Sequence, residues 1–95
     1  MKHASSSEQG RAMSKALFGN ANFVAVAQFI GKQRGSFFVR QVASSTGLVD
    51  AVVKPIVERL LEAGVIEESP SLGGRAIRYR RRSSHPIWTF VSHLR

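Results

Sequence analysis

The stretch VRQVASSTGLVDAVVKPIVERLLEAGVI, residues 39–66, decides the fold. Val39, Val42 and Ala43 share one face of a short helix, because residues three and four apart meet on a helical surface. Gly47 ends that helix where the backbone needs a positive φ, a conformation glycine adopts without steric cost. A second helix is expected from about Asp50 to Ala63, with Val53, Ile56, Val57, Leu60 and Leu61 apolar and Gly64 stopping it. Asp50 is a good N-cap, its carboxylate accepting an orphan amide of the first turn. Pro55 inside this helix removes one backbone bond and favours a bend; a start nearer Val53 would make it harmless. Two helices joined by a glycine-containing turn, with the small Ala43 at their closest approach, make a helix-turn-helix pattern.

Immediately downstream, VIEE (65–68) and AIRYR (76–80) read as two strands, joined through Pro70, Gly73 and Gly74. The stretch GGRAIRYRRR, residues 73–82, interleaves Ile77 and Tyr79 with Arg75, Arg78, Arg80, Arg81 and Arg82. Side chains alternate along a strand, so Ile77 and Tyr79 are expected to face a core and Arg78 and Arg80 to face solvent. Arg75 is expected at the hairpin tip, and Arg81 and Arg82 leave the strand toward the next element. Such a pattern suits a strand laid against a polyanion. An edge strand guarded against aggregation by its charges would read the same way.

Upstream, Phe23, Val26, Ala27 and Ile30 predict an amphipathic helix, with Asn20 or Asn22 as its cap and Gly35 just beyond its end. SFFV (36–39) reads as a very short strand. Residues 1–13 are polar, show no apolar period and are expected to form a disordered arm before a single domain over 14–95. Downstream, SHPIWTFVSHLR (84–95) reads as a helix with Ser84 or His85 near its cap and Pro86 in its first turn. The fold class is therefore mainly α with a small β-hairpin, closed by a C-terminal helix.

The 95-residue chain carries a net charge of +8 with 43% apolar residues, a composition of folded rather than disordered proteins. The charge is segregated. From Ser69 to Arg95 there are six arginines and no acid, while four of the six acids lie between Glu58 and Glu68. Segregated positive charge attracts polyanions. The absence of cysteine removes disulfides and thiolate metal sites and fits a reducing, cytoplasmic compartment. No apolar run approaches the roughly 18 residues of a membrane span, and the N-terminus lacks a signal-peptide run. His85 and His93 are two helical turns apart with no acid nearby, so neither metal binding nor hydrolysis is expected. SLGGR (71–75) lacks the lysine of a phosphate-binding loop. No enzyme activity and no cofactor are expected, and no residue pattern specifies a small-molecule effector.

The segments LFGNANFVAVAQFI (17–30), VRQVASSTGL (39–48), IVERLLEAGVIE (56–67) and GGRAIRYR (73–80) together resemble the winged helix-turn-helix transcriptional regulators of the ArsR and MarR kind. The likeness covers roughly residues 16–94. It implies a homodimer on double-stranded DNA, with the second helix of the motif in the major groove and the hairpin as a wing on the backbone or minor groove. Metal sensing does not carry over, because the cysteines of the metal-sensing members are absent. The outward positions of the second helix are Val49, Asp50, Ala51, Lys54, Pro55 and Glu58. Lysine can contact guanine, alanine and valine a thymine methyl, and aspartate the cytosine amino group. Equally, Asp50 can serve only as a cap and Glu58 only as an i, i+4 partner of Lys54. The wing would contribute Arg75, Arg78, Arg80 and Arg82. Arg40, with Lys32 and Arg34 before it, is placed to touch backbone phosphates. Ile87, Trp88, Phe90, Val91 and Leu94 form an apolar stripe expected at a dimer interface, or else closing the monomer's own core. The alternative function is a winged-helix module that docks a protein and binds little or no DNA.

Overall fold

The computed structural model describes residues 8–69 and 77–94. Within them the order is α1 (Glu8–Phe18), α2 (Phe23–Gly31), α3 (Val39–Thr46), α4 (Asp50–Glu62), β1 (Ile66–Ser69), β2 (Arg78–Arg81) and α5 (Ile87–Ser92). The described chain is thus mainly helical with a small antiparallel sheet, in the α+β class. Arg75 and the rest of the connection between the strands lie outside the described residues, as do residues 1–7.

The core forms where the sequence placed its apolar faces. Val26, Ala27 and Ile30 of α2, Val42 of α3, and Val53, Ile56 and Val57 of α4 are all fully buried in one cluster. Gly47 ends α3 at φ 75° and Gly64 follows α4 at φ 79°, the left-handed values the turns require. Across the Gly47 turn, Leu48 N–H bonds back to the Ala43 carbonyl at 3.0 Å. That contact and the α3 carbonyl bonds of Thr46 Oγ1 close the helix before the chain reverses.

Several local expectations shift. α1 begins at Glu8, inside the segment expected to be an arm. Its buried residues are Gly10 and Ser14, four apart on one face. Small residues let two helix backbones approach closely, yet they leave no apolar period for sequence reading to detect. α2 ends at Gly31 with Lys32 as its C-cap, so Gly35 is a loop residue rather than the terminator. The N-cap of α4 is Val49, not Asp50, and no side chain caps it; Asp50 is the first helical residue. Pro55 stands within a helix that starts at Asp50 rather than near Val53. Its missing N–H leaves the Ala51 carbonyl without its intrahelical partner.

The start of α2 is capped from outside. Asn22, its N-cap, makes no capping bond with its side chain. Its Oδ1 instead accepts from the Arg11 guanidinium. The hydroxyl of Ser14, on α1, accepts the Val24 N–H at 3.0 Å and donates to the Asn20 carbonyl at 2.5 Å. Ser14 and Val24 are both fully buried. Ser14→Ala should therefore cost about 1–3 kcal/mol, since the buried Val24 N–H would lose its partner. Urea unfolding followed by circular dichroism measures this. A loss below roughly 0.5 kcal/mol, the scale of ordinary surface substitutions, would show that α1 contributes no cap.

Candidate functional site

The β1–β2 pair is anchored to the helices by β2. Its register sets Ile66 opposite Arg81, Glu67 opposite Arg80, Glu68 opposite Tyr79 and Ser69 opposite Arg78. On its other edge, Tyr79 exchanges both backbone bonds with Phe37: Phe37 N–H to Tyr79 O at 2.7 Å, and Tyr79 N–H to Phe37 O at 2.9 Å. The short strand expected at SFFV is thus a single bridge, because α3 begins at Val39. The next residue, Phe38, has its N–H bonded to Gln41 Oε1 at 3.4 Å, which fixes the first turn of α3.

This bridge brings three elements around one open cleft of about 930 Å³. Phe38, Val39, Arg40, Gln41 and Ser44 come from the start of α3, Asp50 and Lys54 from α4, and Ile77 and Tyr79 from the sheet. Arg78 lies over the Phe38 ring, its guanidinium carbon 5.0 Å from the ring centroid. Arg40, Lys54 and Arg78 are all exposed here. Asp50 places a carboxylate oxygen 3.9 Å from Arg40 Nε in a solvent-exposed pair. Asp50 offsets part of the positive charge of this face, and the Glu58 and Glu68 carboxylates act on Tyr79 in the cleft wall. Ala51 and Glu58 are exposed on α4 as expected, but no Lys54–Glu58 ion pair forms among the described residues.

Ile77 departs from expectation. It is 51% exposed, whereas Tyr79 is 7% exposed and packed against Phe37. Both share a strand parity, but β2 starts at Arg78, so Ile77 lies before the paired residues. Ile77 overhangs the cleft instead of filling the core. Arg80 and Arg82 are exposed but not free: Glu67 accepts from Arg80 Nε at 2.9 Å and lies 3.4 Å from Arg82 Nη2. Arg81 turns inward and donates to the Gln33 carbonyl at 2.8 Å. The sequence pattern did not single out Phe38, Gln41, Ser44 or Glu67. The strand register, which sets Glu67 opposite Arg80, was the available signal for the last.

The α5 stripe also divides. Trp88 and Val91, expected at a dimer interface, are buried inside the monomer at 5% and 1% exposure. Trp88 packs on Gly31, where a Cβ would come within 3.4 Å of its ring, and its Nε1 donates to the Arg82 carbonyl at 2.8 Å. At the helix start, Ile87 N–H bonds to His85 Nδ1 at 3.1 Å. Gln28 Nε2 donates to the Val91 and Leu94 carbonyls at 2.8 and 2.9 Å, closing the far end. Ile87 and Leu94 are half-buried and pack against the core. Phe90 alone of the five is exposed, at 49%, in edge contact with Phe18.

No group of residues that could hold a metal ion occurs among those described, and no described helix is long and apolar enough to cross a membrane. No protein-family model matches the chain, and no curated protein is significantly similar to it.

Burial raises the Tyr79 phenol above its ordinary value, and the carboxylates of Glu68 and Glu58 push it further up. The unfolded phenol ionises first as pH rises through about 10, so proton loss favours the unfolded chain there. Stability held below that pH should be lost as the medium becomes more alkaline. Tyr79→Phe should flatten this alkaline decline in denaturant midpoints measured from pH 8 to 11. An unaltered decline would assign it to other groups.

Proposed function

We propose that this chain is a winged helix-turn-helix domain that binds double-stranded DNA as a sequence-specific transcriptional regulator. In this reading α3 and α4 are the helix-turn-helix, α4 enters the major groove, and the β1–β2 pair is the wing against the backbone or minor groove. One observation carries it: the exposed start of α4, the start of α3 and the connection-side end of β2 converge on one cleft lined by Arg40 and Lys54, with Arg78 beside it over the Phe38 ring. A helix flanked by a basic ribbon offers a groove-sized projection with cations at its margins, where a duplex carries its phosphates.

The roles separate by position. Lys54 is the one basic residue in the first half of α4, and Ala51 beside it can meet a thymine methyl. Arg40 and Arg78 supply charge at the edges, where contacts set affinity and register rather than base preference. Asp50 pairs weakly with Arg40 and favours the positive end of its own helix.

Random duplex DNA should therefore bind with steep salt dependence. Arg78→Ala should weaken all sequences alike and lower the slope of log K against log salt by about 0.9. Lys54→Ala should also alter the selected sequence, by about 1–3 kcal/mol at one base pair. Selection from a random duplex pool, followed by titration at several salt concentrations, measures both. A chain that binds no duplex at low salt while eluting with a protein partner is a docking module instead. The exposed apolar Ile77 and Val49 beside the cleft favour that second reading.

A two-fold dimer belongs to the same proposal. Leu17 and Phe90 are 55% and 49% exposed, and Phe90 touches Phe18. A dimer built on this α1–α5 patch would space its two α4 helices for an inverted repeat, about 34–36 Å or a multiple apart. Phe90→Glu should convert the dimer to a monomer in sedimentation equilibrium while the circular dichroism spectrum stays native. An intact chain that is monomeric at tens of micromolar excludes a dimer without DNA.

A further inference from the structure

We propose that the base of the β1–β2 pair is a phosphate-binding site, in which the Glu67 carboxylate occupies the place of the ligand and is displaced by it. The site is separate from the α3–α4 cleft and is carried by its own geometry, whether or not the chain binds DNA.

A recess of about 370 Å³ is lined by Arg34, Gly35, Glu67, Arg80, Arg82 and Ser83, with Arg81 in its wall. Arg81 Nε is committed to the Gln33 carbonyl, a bond that holds the Gln33–Gly35 loop against the strand. Arg80 and Arg82 converge on the two oxygens of one carboxylate, Oε2 at 2.9 Å and Oε1 at 3.4 Å. Two guanidinium groups gathered on a pair of oxygens are already arranged for an anion that presents several oxygens in a compact group. Arg34 lines the same recess and has no ion-pair partner among the described residues. Gly35 adds an open wall: nothing lies within 4 Å of where its Cβ would be.

The exchange is chemically favourable. The Glu67 side chain is 34% exposed, and those of Arg80 and Arg82 are 56% and 55% exposed, so the carboxylate rehydrates when it leaves and the pairs it gives up are weak ones. A phosphate monoester carries about −1.5 to −2 at neutral pH against −1 for the carboxylate, and has three acceptor oxygens; a phosphodiester carries only the carboxylate's single charge, and competes through the further phosphates of its chain. The monoester can hold Arg80 and Arg82 and also engage Arg34. Glu67 lowers the affinity, because a ligand must compete with a tethered anion. It also keeps the arginines ordered in the free protein.

The ligand chemistry is a phosphate group, supplied by a free phosphate or nucleotide or by a phosphodiester of nucleic acid. The test is nuclear magnetic resonance of the arginine Nε–H signals of the full chain, titrated with inorganic phosphate at constant ionic strength. Saturable shifts are expected at Arg80 and Arg82. Glu67→Gln should tighten phosphate by about three- to tenfold, the scale of one or two exposed ion pairs. Arg34→Ala should weaken it. Arg82→Ala should weaken it too, and keeps the fold, because the Arg82 contacts to Val65 and Trp88 are made by its backbone. Duplex DNA added at saturating phosphate separates the sources: displacement at these signals assigns the site to phosphodiesters, and unchanged signals assign it to free phosphate. Absence of saturable shifts in both the intact chain and Glu67→Gln would overturn the site. Weaker binding in Glu67→Gln would overturn the displacement. Duplex binding that leaves the Arg80 and Arg82 signals silent, with no response to phosphate, refutes this site alone. Phosphate binding without duplex binding refutes the DNA reading alone.

Discussion

Two backbone hydrogen bonds between Phe37 and Tyr79 tie the strand pair to the segment that leads into α3. A two-stranded ribbon alone is at best marginally stable in water; these bonds add to the burial of Val65, Ile66 and Tyr79 in the core and to the Arg81 bond to the Gln33 carbonyl. With them, β2 is paired on both edges at Tyr79, and the ribbon leaves the body beside the start of α3. The bridge falls one residue before Phe38, so its position also determines which ring lies beneath Arg78 and how far Ile77 projects. Tyr79 is buried on the helical core and bonded through its backbone to the loop before α3, which makes it the joint between the two parts. Its raised phenol reflects that position, pressed against apolar side chains with two carboxylates near.

Charge is distributed around this joint with different freedom at each site. Arg40 and Lys54 face a cleft together with Asp50, and Arg78 lies beside it over the Phe38 ring. Arg80 and Arg82 share Glu67, and Arg81 is used to fasten the Gln33 carbonyl. The four described arginines of residues 78–82 are therefore not equivalent charges. Alternation along β2 sends Arg81 inward while its neighbours reach outward, and the antiparallel register supplies the only carboxylate that reaches two of them among the described residues.

Much of the fold was legible from residues alone, because it rests on periodicity and glycine. Val53, Ile56, Val57 and Leu60 share a helical face and are buried, and Gly47 and Gly64 take the positive φ their turns need. The expectations that shifted depend on where one element meets another. α1 packs with Gly10 and Ser14, residues whose value lies in small size and a hydroxyl rather than in apolar character. Ile77 obeys strand parity but precedes β2 and is left exposed, while Tyr79 two residues on is buried. Trp88 looks like an interface residue until α2 places Gly31 beneath its ring and the chain turns Arg82's carbonyl toward its indole. For the candidate site, the basic positions Arg40, Lys54 and Arg78 were visible as outward charges. The aromatic support from Phe38 and the Glu67 counter-charge required the register of the strands.

The bonds from Gln28 to the carbonyls of Val91 and Leu94 span 63 and 66 residues of sequence. Contacts so far apart along the chain close large loops, and closure of large loops slows folding. During synthesis α2 leaves the ribosome long before α5 is made. Until then the Gly31 face that Trp88 will cover remains open, and so does the amide of Gln28. The helix pair α3–α4, whose contacts are local, can assemble in the interval. Docking of α5 is then the late event that converts an apolar groove on α2 into core, and a nascent chain stalled before residue 88 would present that groove to chaperones.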